Sequence, residues 1–169
     1  MNREKHRGCC GHSHGDARKG CAGGRAKITA VIVTSPELEI LGELIKYHYL
    51  PVSRFVRCST HTDGARFIAL APVYLEDKAD SMEKVRAFAA RLELMAEKGL
   101  ISLDYGYALQ GYDYEIHSGS DLFRYFESTV REAAPNAGFL CDTAELEPGS
   151  IAMTRLGMAA AKKFLVDMQ

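Results

Sequence analysis

The chain has 169 residues, a formal net charge of −1, 47% hydrophobic and 25% charged residues, which fits one compact domain and excludes wholesale disorder. No uninterrupted apolar stretch approaches the roughly 20 residues that span a bilayer, and the N-terminus lacks the apolar core of a secretory signal, so no membrane partner and a cytoplasmic location are expected. Five cysteines, an odd number unevenly spread, point to reduced thiols or metal ligands rather than a disulfide framework.

Residues 1–26 hold almost no large apolar side chains and many glycines, so a flexible tail is expected that cannot fold by itself. Within residues 1–27, seven Lys and Arg stand against Glu4 and Asp16, a local +5 that leaves −6 for the remainder. The tail carries Cys9, Cys10, His12, His14 and Cys21. Thiolates and imidazoles are preferred ligands of zinc and also suit copper or nickel, so the cluster can hold a transition metal at a pH where its ligands are deprotonated. The spacing is not that of a zinc finger, and adventitious binding by a mobile segment is the competing reading.

From residue 27 to 169 a single domain is expected. Lys27 to Thr34 is β-branched and reads as a strand, with a buried helix entrance as the alternative. Ser35-Pro36 opens a helix with Leu38, Leu41, Leu44 and Ile45 on one face, and Pro51 marks its stop. Residues 52–79 allow either a short helix over Ala65 to Ala71 or a hairpin turning at Thr62-Asp63-Gly64. Asp80 or Ser81 caps a helix whose Val85, Phe88, Ala89, Leu92, Met95 and Ala96 recur at helical spacing. Gly99 ends it, and Leu100 folds back on the last turn.

Ile101, Leu103 and Tyr105 then alternate with polar residues, as do Tyr112, Tyr114 and Ile116, which reads as a hairpin joined through Gly106 to Gly111. Ser118 or Ser120 caps a helix through about Ala134. A short strand around Phe139 to Cys141 follows, then an acidic loop from Asp142 to Gly149 and a last helix capped by Thr154.

The helix, glycine and hairpin of residues 92–118, together with Ile151-Ala-Met-Thr-Arg-Leu-Gly157 before an alanine-rich helix, resemble winged helix-turn-helix regulators. The resemblance implies an α+β fold with a winged-helix-like core, additional C-terminal helices, and a DNA-binding transcriptional regulator acting as a homodimer. Lys84, Arg86 and Arg91 are then the DNA-contacting residues, since a recognition helix needs few side chains at base edges. An acidic body offers no broad phosphate-binding surface, so any DNA contact must be local.

The alternative is a metal-binding accessory or sensor protein whose body is a protein-interaction module. The hairpin tyrosines suit stacking on bases or a partner, against cross-strand packing as the plainer reading. No enzyme is expected: Cys58, His61 and Asp63 suggest a nucleophile and base, but nothing supplies an oxyanion hole. Asp142, Glu145 and Glu147 read as a solvated loop, and His48 and His117 as satisfied structural histidines.

Overall fold

The computed structural model describes residues 31–62, 64–136 and 138–167, with side chains to Lys163. Five helices and four strands occur in the order α1 (Ser35–Tyr47), β1 (Tyr49–Cys58), β2 (Arg66–Val73), α2 (Met82–Glu97), β3 (Ile101–Asp104), α3 (Glu115–Ser118), α4 (Asp121–Ala133), β4 (Thr143–Met153) and α5 (Arg155–Asp167). The strands form one antiparallel sheet in the order β2-β1-β4-β3. The architecture is α+β.

Helix α1 starts one residue earlier than Ser35 suggests. Thr34 is the cap, and the Glu37 carboxylate reaches back to the Thr34 N–H at 2.7 Å, satisfying a donor that the first turn would orphan. The stop is His48, at φ 68°, not Pro51, which lies inside β1. Residues 31–34 form no strand.

Residues 52–79 take the hairpin alternative. Arg66–Val73 pairs with β1, so the short second helix of a helix-turn-helix is absent between β1 and α2. The β-branched and aromatic side chains of this stretch favour a pleated surface over a helix.

The start and end of α2 are as expected. Ser81 accepts from the Lys84 N–H at 3.2 Å, Gly99 adopts φ 71°, and the Leu100 N–H bonds the Met95 carbonyl at 2.9 Å. Leu100 is fully buried.

The expected hairpin does not form. β3 pairs with β4, placing Ile101 opposite Met153 and Leu103 opposite Ile151. Residues 111–116 instead turn through Gly111 at φ 80° and Tyr114 at φ 55° into α3, and Ile116 packs on the Phe55 cluster. The Asp142 to Gly149 segment is largely the first half of β4 rather than a loop, and residues 139–141 carry no strand. Glu147 pairs with Arg54 and Arg66, and Glu145 with Arg66 at 2.8 Å. These cross-strand pairs hold an acidic segment in the sheet.

Two apolar clusters hold the layers together. In the first, Ile40, Leu41 and Leu44 of α1 and Leu92 and Met95 of α2 meet Leu50, Val52, Ile101 and Ile151 of the sheet, with Ala161 of α5. In the second, Phe55 lies 5.0 Å from Phe123 and 5.5 Å from Phe126 of α4, beside Val73, Leu75 and Val85. Full burial of a side chain of this size contributes about 1.5–3 kcal/mol. The last helix is seated by Thr154, which accepts from the Gly157 N–H at 3.0 Å and donates to the Gly99 carbonyl at 2.5 Å.

Candidate binding surfaces

A trough of about 710 Å³ lies over the end of the sheet formed by β1, β3 and β4. Its floor is built from the small side chains of Ser102, Ser150 and Ala152. Along these strands Ile101, Ile151 and Leu50 belong to the core, so the alternating residues face the other way. Small residues on an open sheet face let a ligand approach the backbone closely.

Four tyrosines wall the trough. Tyr47 ends α1 and Tyr49 begins β1, and the left-handed His48 between them turns the chain so that both line it. Tyr107 and Tyr112 come from the segment after β3, and Tyr107 is 74% exposed. Asp104 is the charged lining residue, and one of its oxygens accepts from the Gly106 N–H at 2.8 Å.

That segment is anchored from beneath. Tyr114 is buried, and its ring meets Tyr112 edge to face at 4.9 Å. His117 is fully buried beside Tyr114, at 5.5 Å between ring centroids, and neither ring nitrogen makes a well-formed hydrogen bond among the described residues. Burial pushes His117 down to about 4, and the nearby Val73 backbone offsets only part of that. Tyr105, just past β3, is half-buried with the Arg54 guanidinium over its ring at 4.8 Å, and burial raises its phenol to about 12.

The surface expected to contact DNA has a different character. Lys84 Nζ lies 2.6 Å from Glu76 and 2.7 Å from Asp80, and the two carboxylates hold its ammonium well above the ordinary lysine range. Arg91 lies over the Phe88 ring at 5.2 Å and shares a small cleft with Glu39, Glu43 and Glu76. Arg86 is exposed and makes no ion pair among the described residues. The three residues share one helix; Lys84 is held by two carboxylates, whereas Arg86 and Arg91 make no ion pair among the described residues.

The metal candidates Cys9, Cys10, His12, His14 and Cys21 lie outside the described residues, as does Asp63. Among the described residues no group of three or more His, Cys, Asp or Glu is arranged to hold a metal ion. Cys58 is buried, and burial followed by the nearby Glu145 raises its thiol pKa, which disfavours a thiolate nucleophile. His61 is exposed and faces Asp142 at 3.3 Å. His48 is exposed at its turn. Among the described residues no helix is long and apolar enough to cross a membrane.

Tyr47, Tyr49 and the small floor residues were not among the expected site residues. A visible signal existed in the run Tyr-His-Tyr at a helix stop, where two aromatics flank a residue with a local turn preference.

No protein-family model matches the chain, and no curated protein matches it. Among solved structures it is similar to an uncharacterized protein from the hydrocarbon-degrading marine bacterium Alcanivorax borkumensis SK2, at 13% identity and a TM-score of 0.41 over 81% of this chain and 87% of that chain.

Proposed function

We propose that the folded body is a protein-interaction module that grips a segment of a partner in the tyrosine-walled trough, within an accessory or sensor protein whose N-terminal Cys9, Cys10, His12, His14 and Cys21 bind zinc or another transition metal. The observation that carries this reading is the pairing of four tyrosine walls with a floor of serine and alanine. Tyrosine supplies large amphipathic contact area with few rotatable bonds, and small hydroxyl residues supply adaptable hydrogen bonding, a combination suited to protein recognition. Asp104 adds a preference for a basic group on the partner.

The test uses the full chain carrying a photo-crosslinking residue at Gln110, in its native cell background. A defined partner cross-links at this position and is lost in the Tyr49→Ala/Tyr107→Ala variant, whose circular dichroism is unchanged. Cross-linking that is indifferent to those substitutions removes the trough from the function. For the tail, the purified chain retains near-stoichiometric metal that disappears when residues 1–26 are deleted.

A winged-helix DNA-binding regulator, homodimeric and cytoplasmic, is the second reading. It is favoured by the run of α2 through Gly99 into β3, and by the exposed Arg86 near the start of that helix. A genomic-DNA pull-down at low salt then enriches one compact motif, and Arg86→Ala abolishes the enrichment. Absence of any enriched motif rejects it.

A further inference from the structure

Three arginines on the β1–β2 hairpin differ in their surroundings. Arg54 and Arg66 are neutralised by Glu147 and Glu145. Arg57 makes no ion pair and no side-chain hydrogen bond among the described residues, and its Nε is enclosed without a partner. Its guanidinium lies over the Phe139 ring at 5.8 Å.

This cation borders a groove of about 410 Å³ between the hairpin and α4, with apolar walls from Ile68, Phe126, Val130, Ala133 and Phe139. Thr129 is the other polar side chain there, and its hydroxyl already donates to the Tyr125 carbonyl. Ile68 is 56% exposed on β2, an edge strand, so the groove opens to solvent. A charged group beside apolar walls is unfavourable without a counter-charge, and a guanidinium is matched best by a planar carboxylate that takes two parallel hydrogen bonds.

We propose that this groove binds an apolar carboxylate, a medium-chain or aryl-substituted acid, with the carboxylate on Arg57 and the hydrocarbon between Ile68, Phe126, Val130 and Phe139. The site is independent of the tyrosine trough. Arg57 sets the sign of the ligand, and the apolar walls set its affinity, which rises up to about fourfold per buried methylene until the groove is full.

Isothermal titration of the full chain with octanoate, hexanoate, octanol and octylammonium tests this. Octanoate binds at one saturable site, at least tenfold tighter than octanol or octylammonium, and tighter than hexanoate. Arg57→Met weakens octanoate at least tenfold and leaves octanol unchanged, a difference that a misfolded variant does not produce. Ala133→Phe, which fills the groove from α4, abolishes both. The proposal is overturned if octanoate shows no saturable binding, if it binds no tighter than octanol, or if either substitution leaves octanoate affinity intact.

Discussion

The Tyr114 hydroxyl donates to the Gly149 carbonyl at 2.6 Å and accepts from the Leu109 N–H at 3.0 Å, tying the segment that walls the trough to the central strand β4. Tyr114→Phe removes one oxygen and leaves two backbone groups unpaired. The expected loss is about 2–3 kcal/mol in urea unfolding, with faster amide exchange over residues 106–113. A loss below 0.5 kcal/mol, or unchanged exchange, shows that the segment is held by other contacts.

Close backbone approach at two glycines makes a sharper prediction. A Cβ on Gly149 meets the Asp104 carbonyl at 2.5 Å and Tyr105 Cα at 3.0 Å, and one on Gly157 overlaps the Leu100 carbonyl. Neither clash involves a flexible side-chain tip. Gly149→Ala and Gly157→Ala each destabilise by about 3 kcal/mol or more, at the upper end for single substitutions, whereas Gly42→Ala meets nothing within 4 Å and stabilises by up to about 1 kcal/mol. Comparable melting temperatures for all three variants contradict this packing.

Glu37 is 1% exposed and its carboxylate lies 2.6 Å from Lys98 Nζ, joining the start of α1 to the end of α2. Burial acts to raise its pKa, but the bonds from Lys98 and Thr34 outweigh it, and the group ends below the ordinary carboxylate range. The pair therefore stabilises above the unfolded-state pKa, and the contribution is lost as pH falls through the folded value. Lys98→Met leaves the buried carboxylate with its Thr34 hydrogen bond but no counter-charge, at a cost of about 1–3 kcal/mol near neutrality. The deficit shrinks in acid, as chemical denaturation at a series of pH values reveals. A deficit independent of pH assigns the effect to packing alone.

His117 has the opposite protonation preference. Its pKa falls from 6.5 to about 4 on folding, so the unfolded chain binds the extra proton between these values. Stability from the neutral ring is complete above about 6.5 and is lost as pH drops toward 4, about 3 kcal/mol across the window. His117→Leu flattens the stability profile in that range. A variant with the wild-type slope identifies another group as the source.

How much of this was readable from residues alone differs by element. The α2 stop at Gly99, the α4 cap at Ser118 or Ser120, and the Thr154 cap of α5 rest on local chemistry, and the structure has the stop, the α4 cap at Ser120 and the Thr154 cap. The partner of β3 was not local. Tyr112, Tyr114 and Ile116 offer the same spacing as Ile151 and Met153, and only tertiary packing chooses between them. Glu145 and Glu147 read as loop residues because their partners, Arg54 and Arg66, lie on distant strands.

The site residues divide in the same way. Lys84 and Asp80 form a helical i, i+4 pair that spacing predicts, whereas Glu76, which completes the clamp, comes from the preceding loop. The tyrosines after β3 are recognisable as surface candidates, but their trough needs Tyr47 and Tyr49, which are distant in sequence and brought alongside by the pairing of β1 with β4. The isolation of Arg57 depends on which carboxylates its neighbours capture, a property of the whole sheet.

Strand β4 lies between β1 and β3 and precedes only α5 in the chain. A chain emerging from the ribosome displays β1 and β3 before either has this partner, each with an open row of hydrogen-bonding groups. The four-stranded sheet closes only after residue 153 is free, because β4 is the strand that joins the β1–β2 hairpin to β3. Chaperone occupancy should accordingly persist until β4 has emerged, set by the position of one strand rather than by overall size.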